Sequence, residues 1–179
     1  YRYDANGNMT SRIEAGTALR SQPKSALRLL DEAIAIAEKV DSPGHLRHAL
    51  HIRAQIDASI SPAQSLEDLK RALPQAERHA RNTGYPHELL GTMRALSQAF
   101  RGAGNYAEAM EMEKRRADKA RAEGLPDAEA DAYYWMMTVN ANDLGEPEEA
   151  ARLADQYTAM MTKPGKKLNF NNHYRIAGA

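Results

Sequence analysis

Apolar and polar positions along the chain repeat with helical spacing. Leu27, Leu30, Ala33, Ile34 and Ala37 fall at intervals of three and four, and so do Leu66, Leu69, Ala72, Leu73 and Ala76. That period places apolar side chains on one face of a helix rather than on alternate faces of a strand. Short breakers bound these stretches. Asp41-Ser42-Pro43, Gly84-Tyr85-Pro86, Gly124-Leu125-Pro126 and Lys163-Pro164-Gly165 recur about every 40 residues. Glycine suits the end of one helix and proline the first turn of the next. A second set, Ser21-Gln22-Pro23, Ser61-Pro62, Gly104-Asn105-Tyr106 and Gly145-Glu146-Pro147, falls midway between them. The chain therefore reads as units of helix, tight turn, helix, with segments of about 14 to 20 residues. Pro74 interrupts one apolar pattern and is expected to kink that helix.

Small residues fit this plan. Ala109 and Ala150 stand early in the second helix of their units, where a short side chain lets paired helices approach. One such hairpin has too little apolar surface to stand alone, so neighbouring hairpins must stack. The final segment, Lys166 to Ala179, has no partner in this sequence. It reads as the start of a repeat cut short, or as a cap built on Leu168, Phe170, Tyr174 and Ile176.

The stretch from Leu96 to Ala109 resembles the tetratricopeptide repeat. Met93, Leu96 and Phe100 match its first-helix pattern, Gly104, Asn105 and Tyr106 its turn, and Ala109 its small position. The following unit matches with Tyr134, Met137, Gly145, Pro147 and Ala150, and the preceding one with Ala49, Ile52, Ile56, Pro62 and Ser65. The first unit keeps Pro23 and Ala26 of its second helix. Three departures stand out. The Ser61-Pro62 turn lacks glycine, Glu113 occupies a position usually aromatic, and the period is nearer 40 than 34. The longer period resembles that of repeat arrays in bacterial signalling proteins. The resemblance spans residues 22 to 179 and implies an all-α superhelix of antiparallel hairpins. In that family the first helix of each pair lines a concave groove. Carrying the groove positions across gives Arg47, then Arg94, Gln98 and Arg101, then Trp135, Val139 and Asn142.

Residues 1–20 read differently. The segment Tyr1 to Arg12 resembles the tyrosine-aspartate repeat of bacterial Rhs-type toxin proteins, with Tyr3-Asp4 and Gly7-Asn8 at the matching positions. Asn6-Gly7 is a hairpin turn signal. A lone hairpin is marginal in water, so residues 1–20 are expected to form a junction or tail and residues 21–179 the repeat domain. Met9 to Arg20 could alternatively supply a first helix, although Gly16 opposes it. The chain begins with Tyr1, which suggests a piece of something longer.

Composition narrows the function. The chain of 179 residues has 42% hydrophobic and 27% charged residues, no cysteine and a formal net charge of zero. Disulfide and thiolate metal chemistry are excluded, and no excess positive charge points to nucleic acid. No apolar run reaches the roughly 20 residues a membrane span needs. Between Asp127 and Asp155 acids outnumber a lone Arg152, whereas the tail carries Lys163, Lys166, Lys167 and Arg175. Compartment, with cytoplasm as the default, and oligomeric state are left open.

Candidate chemistry is sparse. His45, His48 and His51 recur three apart, so two could reach one metal while the third turns away round the helix. They read as solvent- or groove-facing side chains. No nucleophile elbow, phosphate loop or dinucleotide fingerprint occurs. Glu148 and Glu149 follow Pro147, where acids suit the positive end of a helix. Lys114, Arg115, Arg116, Lys119 and Arg121 are interleaved with acids and read as a solvated face. Arg94 and Arg101 could receive a carboxylate or acidic peptide. Trp135, beside Tyr133, Tyr134, Met136 and Met137, could anchor a partner side chain. The expected function is thus non-enzymatic and cofactor-free: a scaffold or sensory module that binds a protein or peptide, cut from a larger bacterial regulator. The alternative is a helical region of an Rhs-type toxin.

Overall fold

A computed structural model describes residues 23–162. The junction segment 1–20 with its Rhs-like repeat, the turn Lys163-Pro164-Gly165 and the terminal segment 166–179 lie outside the described residues. Within them the fold is all α, with no strand. The helices are α1 (Pro23–Lys39), α2 (Pro43–Asp57), α3 (Pro62–Thr83), α4 (His87–Gly102), α5 (Tyr106–Ala122), α6 (Pro126–Val139) and α7 (Pro147–Met161). A five-residue π turn, Asn140–Leu144, extends α6.

The helix boundaries follow the breakers. Pro43, Pro62, Pro126 and Pro147 begin their helices, where a missing amide hydrogen removes no intrahelical bond. Gly84, Gly104, Gly124 and Gly145 take left-handed φ values of 69°, 77°, 66° and 67°, which a Cβ would oppose. Asp41 adopts φ 50° at the corresponding α1–α2 turn. Pro74 does not end α3; the 22-residue helix continues through it to Thr83 with that ring on its exposed side. A ring facing outward displaces only a solvent-side hydrogen bond, which water can replace.

The described residues form two compact units, 23–103 and 104–162. In the first, α1 packs on α2, α2 on α3 and α3 on α4. Ile34 and Ala37 of α1 meet Leu46, Ala49 and Leu50 of α2 and Ala72 of α3. A polar layer crosses the same helices: Arg53 of α2 donates to both Asp68 oxygens of α3 at 2.6 and 2.5 Å and to Asp31 of α1 at 2.6 Å. In the second unit α5 packs on α6 and α6 on α7. Ala117, Ala132, Met136 and Leu153 form one apolar cluster, and Ala130, Tyr157 and Met161 another.

Glu113, the departure from an aromatic, has a physical explanation. It is fully buried and accepts from Arg116 Nε at 2.7 Å, while Arg116 Nη1 donates to Asp131 of α6 at 2.9 Å. Glu113 thus belongs to an ion triad that links α5 to α6. Ala109 and Ala150 are buried, as close helix packing requires.

Candidate functional site: a cleft in the first unit

Helices α2 and α4 both pack against α3, and a cleft of about 430 Å³ lies between them. His51, Ala54, Gln55 and Ala58 come from α2. Gly91, Arg94, Ala95, Gln98, Ala99 and Gly102 come from α4. These positions recur every three or four residues, so each helix presents one continuous face to the opening. Pro62, Ser65 and Leu69 of α3 make the floor. Ser65 Oγ donates to the Ala54 carbonyl at 2.8 Å, which holds the floor to the α2 wall.

One end of the cleft is tied by charge. Arg47, one turn before His51, sits 2.9 Å from Glu88, one turn before Gly91. Glu88 also lies 3.3 Å from His79 of α3. These contacts fasten α4 to α2 and α3. His51 is half-buried, and its Nδ1 lacks a hydrogen-bond partner. Burial first, then the charges of Arg47 and His48, push its pKa below the ordinary histidine value. The imidazole is therefore neutral near pH 7 and leaves Arg94 as the charged group of the lining.

The sequence-derived groove positions divide. Arg94 and Gln98 line the cleft together, and Arg101 is half-buried on the same helix. Arg47 does not face an opening: it is 8% exposed and serves as the tie to Glu88. In the second unit Trp135 is half-buried and meets Tyr134 edge-on, with ring centroids 5.8 Å apart. Asn142 is exposed in the π turn. Val139 is 1% exposed and belongs to the interior. Transferring positions from α4 to α6 assumed that both helices present the same faces. On α6 the buried positions are Ala130, Ala132, Met136 and Val139, so Val139 turns inward where Gln98 turns outward.

Sequence reasoning read His51 as solvent- or groove-facing, and missed Gln55 and Gly91. Stepping two turns along α2 from Arg47 and one turn back along α4 from Arg94 reaches them. It also missed Asn140, which is buried and donates to the Met136 carbonyl at 2.9 Å in the π turn. The three evenly spaced histidines do not converge. His45 meets Ser42 Oγ at 2.7 Å through Nδ1, His48 is exposed and His51 faces the cleft. The basic cluster is largely consumed by ion pairs. Lys119 meets Glu123, Arg121 meets Asp118 and Glu129, and Arg116 is buried in the triad. Glu149 pairs with Arg152. Among the described residues no helix is long and apolar enough to cross a membrane.

No family model and no curated protein matches the chain. Among solved structures, it resembles a protein of Podosopora anserina with nearly identical kinesin-light-chain TPR-like repeats. The two share 20% identity and a TM-score of 0.68, over 86% of this chain and 74% of the other. The fold is accordingly that of a TPR-like helical repeat protein. Folds of this type commonly serve protein–protein interaction.

Proposed function

We propose that this chain is a non-enzymatic binding module whose first unit holds an extended, acid-bearing peptide segment of a partner protein. The observation that carries this reading is the cleft between α2 and α4, whose lining contains Arg94 and His51 but no acid. A carboxylate entering there can reach the Arg94 guanidinium, and charge-assisted bonds to a guanidinium are strong and directional. Gln55 and Gln98 add amides that can both donate to and accept from a peptide main chain.

The wall length sets how much of an extended segment the cleft can hold. From Gly91 to Gly102 the wall of α4 spans about 16 Å at 1.5 Å per residue. An extended chain rising 3.3 Å per residue covers the same length with about five residues. The wider setting expected from the sequence, a bacterial regulator or an Rhs-type toxin, adds nothing to this reading.

The test is selection of a random 12-residue phage-displayed peptide library on the purified chain. Enriched peptides are then titrated by fluorescence anisotropy against wild type and Arg94→Glu. Enriched sequences should carry Asp or Glu, bind less tightly as salt rises, and lose about tenfold or more in affinity to Arg94→Glu. A library that yields no binder, or binders indifferent to Arg94→Glu, overturns the proposal.

A further inference from the structure

Gly91 lies inside α4, away from either end, where glycine is the least favourable residue other than proline. Two structural reasons could require it there, and neither applies. Its φ is not in the left-handed region, so the backbone accepts a side chain. A Cβ built on it would meet no atom within 4 Å, so close packing does not demand its absence. Gly44 shows what such a demand looks like: a Cβ there would come within 2.9 Å of the His79 ring. The space above Gly91 is the cleft itself.

Resting on the peptide-binding reading above, we infer that Gly91 is a contact position for the ligand. The missing side chain lets the bound segment lie directly against the α4 backbone. Position 91 is one turn before Arg94 on the same face, with Ala95 and Ala99 continuing the low wall beyond it. A ligand whose carboxylate reaches Arg94 passes over Gly91, and its main chain is brought within van der Waals distance of the helix there. Any side chain at 91 lifts the segment off the wall and lengthens the bond to Arg94. The specificity that follows is for small residues in the ligand where it crosses position 91, since a bulky one has only the open rim to occupy.

The test uses the tightest acidic peptide from the library selection, with Gly91→Ala and Gly91→Leu in the full chain. Each variant is read twice, by peptide anisotropy and by urea unfolding. Gly91→Ala should raise the unfolding midpoint by about 0.3–0.5 M, because helix propensity improves and nothing clashes. The same variant should bind the peptide about five- to tenfold more weakly, and Gly91→Leu more weakly again. Wild-type affinity in Gly91→Ala and Gly91→Leu overturns the inference. So does a fall in stability of Gly91→Ala, which would reveal a packing role. If the peptide depends on Arg94 but not on residue 91, this inference alone fails. If it depends on neither, the proposed function fails with it.

Discussion

Truncating Asp68 to alanine removes the acceptor at the centre of the polar layer of the first unit. Asp68 is fully buried and takes two bonds from Arg53, at 2.6 and 2.5 Å, and a third from Gln64 at 3.1 Å. The bonds to Asp68, with a smaller share from Asp31, make Arg53 hold its proton more tightly than a free arginine does. Hydrogen bonds to charged groups contribute about 1.5–3 kcal/mol each, and breaking a buried ion pair costs about 3–5 kcal/mol. In Asp68→Ala the guanidinium keeps Asp31 at 2.6 Å, and Gln64 is exposed and turns to water. The loss should therefore sit near the lower bound, at about 3 kcal/mol. With a urea m-value of about 2 kcal/mol/M, the midpoint falls by about 1.5 M. Far-UV circular dichroism follows the whole chain, while fluorescence of Trp135, the single tryptophan, reports the second unit. The early loss should appear in the dichroism. The companion Arg53→Met/Asp68→Leu should recover most of it, because an apolar pair of similar volume leaves no charge stranded. A loss below 1 kcal/mol in the single variant, or a double variant no better than the single, would refute the assignment of this layer as a coupled pair.

Three further outcomes follow from the same structure. Asp57 is 6% exposed, and burial first, then Asp68, raise its pKa against the opposing pull of Arg53. Because the folded value lies above the unfolded one, its contribution is most favourable below the ordinary carboxylate value and is lost as pH rises through the raised one. Asp57→Asn should thus stabilise the protein at pH 7 and flatten that limb of the stability–pH curve; an unchanged curve would remove the argument. Gly84→Ala should lower stability by about 1 kcal/mol, since φ 69° is strained for an alanine, and Gly84→Asn should lower it less; equal loss from both would point away from backbone strain. Glu113→Ala should destabilise the second unit by about 3 kcal/mol through the stranded Arg116, with Trp135 fluorescence as the readout. Near-equal midpoints in that experiment would mean that Asp131 alone satisfies the guanidinium.

The amino-acid sequence by itself determined where helices start and stop. Proline at a first turn and glycine with positive φ act through local sterics, so Pro43, Pro62, Gly84, Pro126, Gly145 and Pro147 mark boundaries without knowledge of their neighbours. Periodicity likewise located the packed faces, and the small residues Ala109 and Ala150 announced close helix contacts. Which polar residues face an opening was decided only by tertiary structure. Arg47 and Arg94 look alike in sequence, yet one is clamped to Glu88 and the other lines the cleft, because that depends on where α4 lies against α2. Val139 and Gln98 share a nominal position and differ because α6 buries a different face than α4 does. The partners of Arg53 lie 15 and 22 residues away, and Asp131 lies 15 residues from the Arg116 that it binds, beyond any local rule. Local sterics are written in neighbouring residues, whereas burial and charge pairing are properties of surfaces that exist only once helices have met.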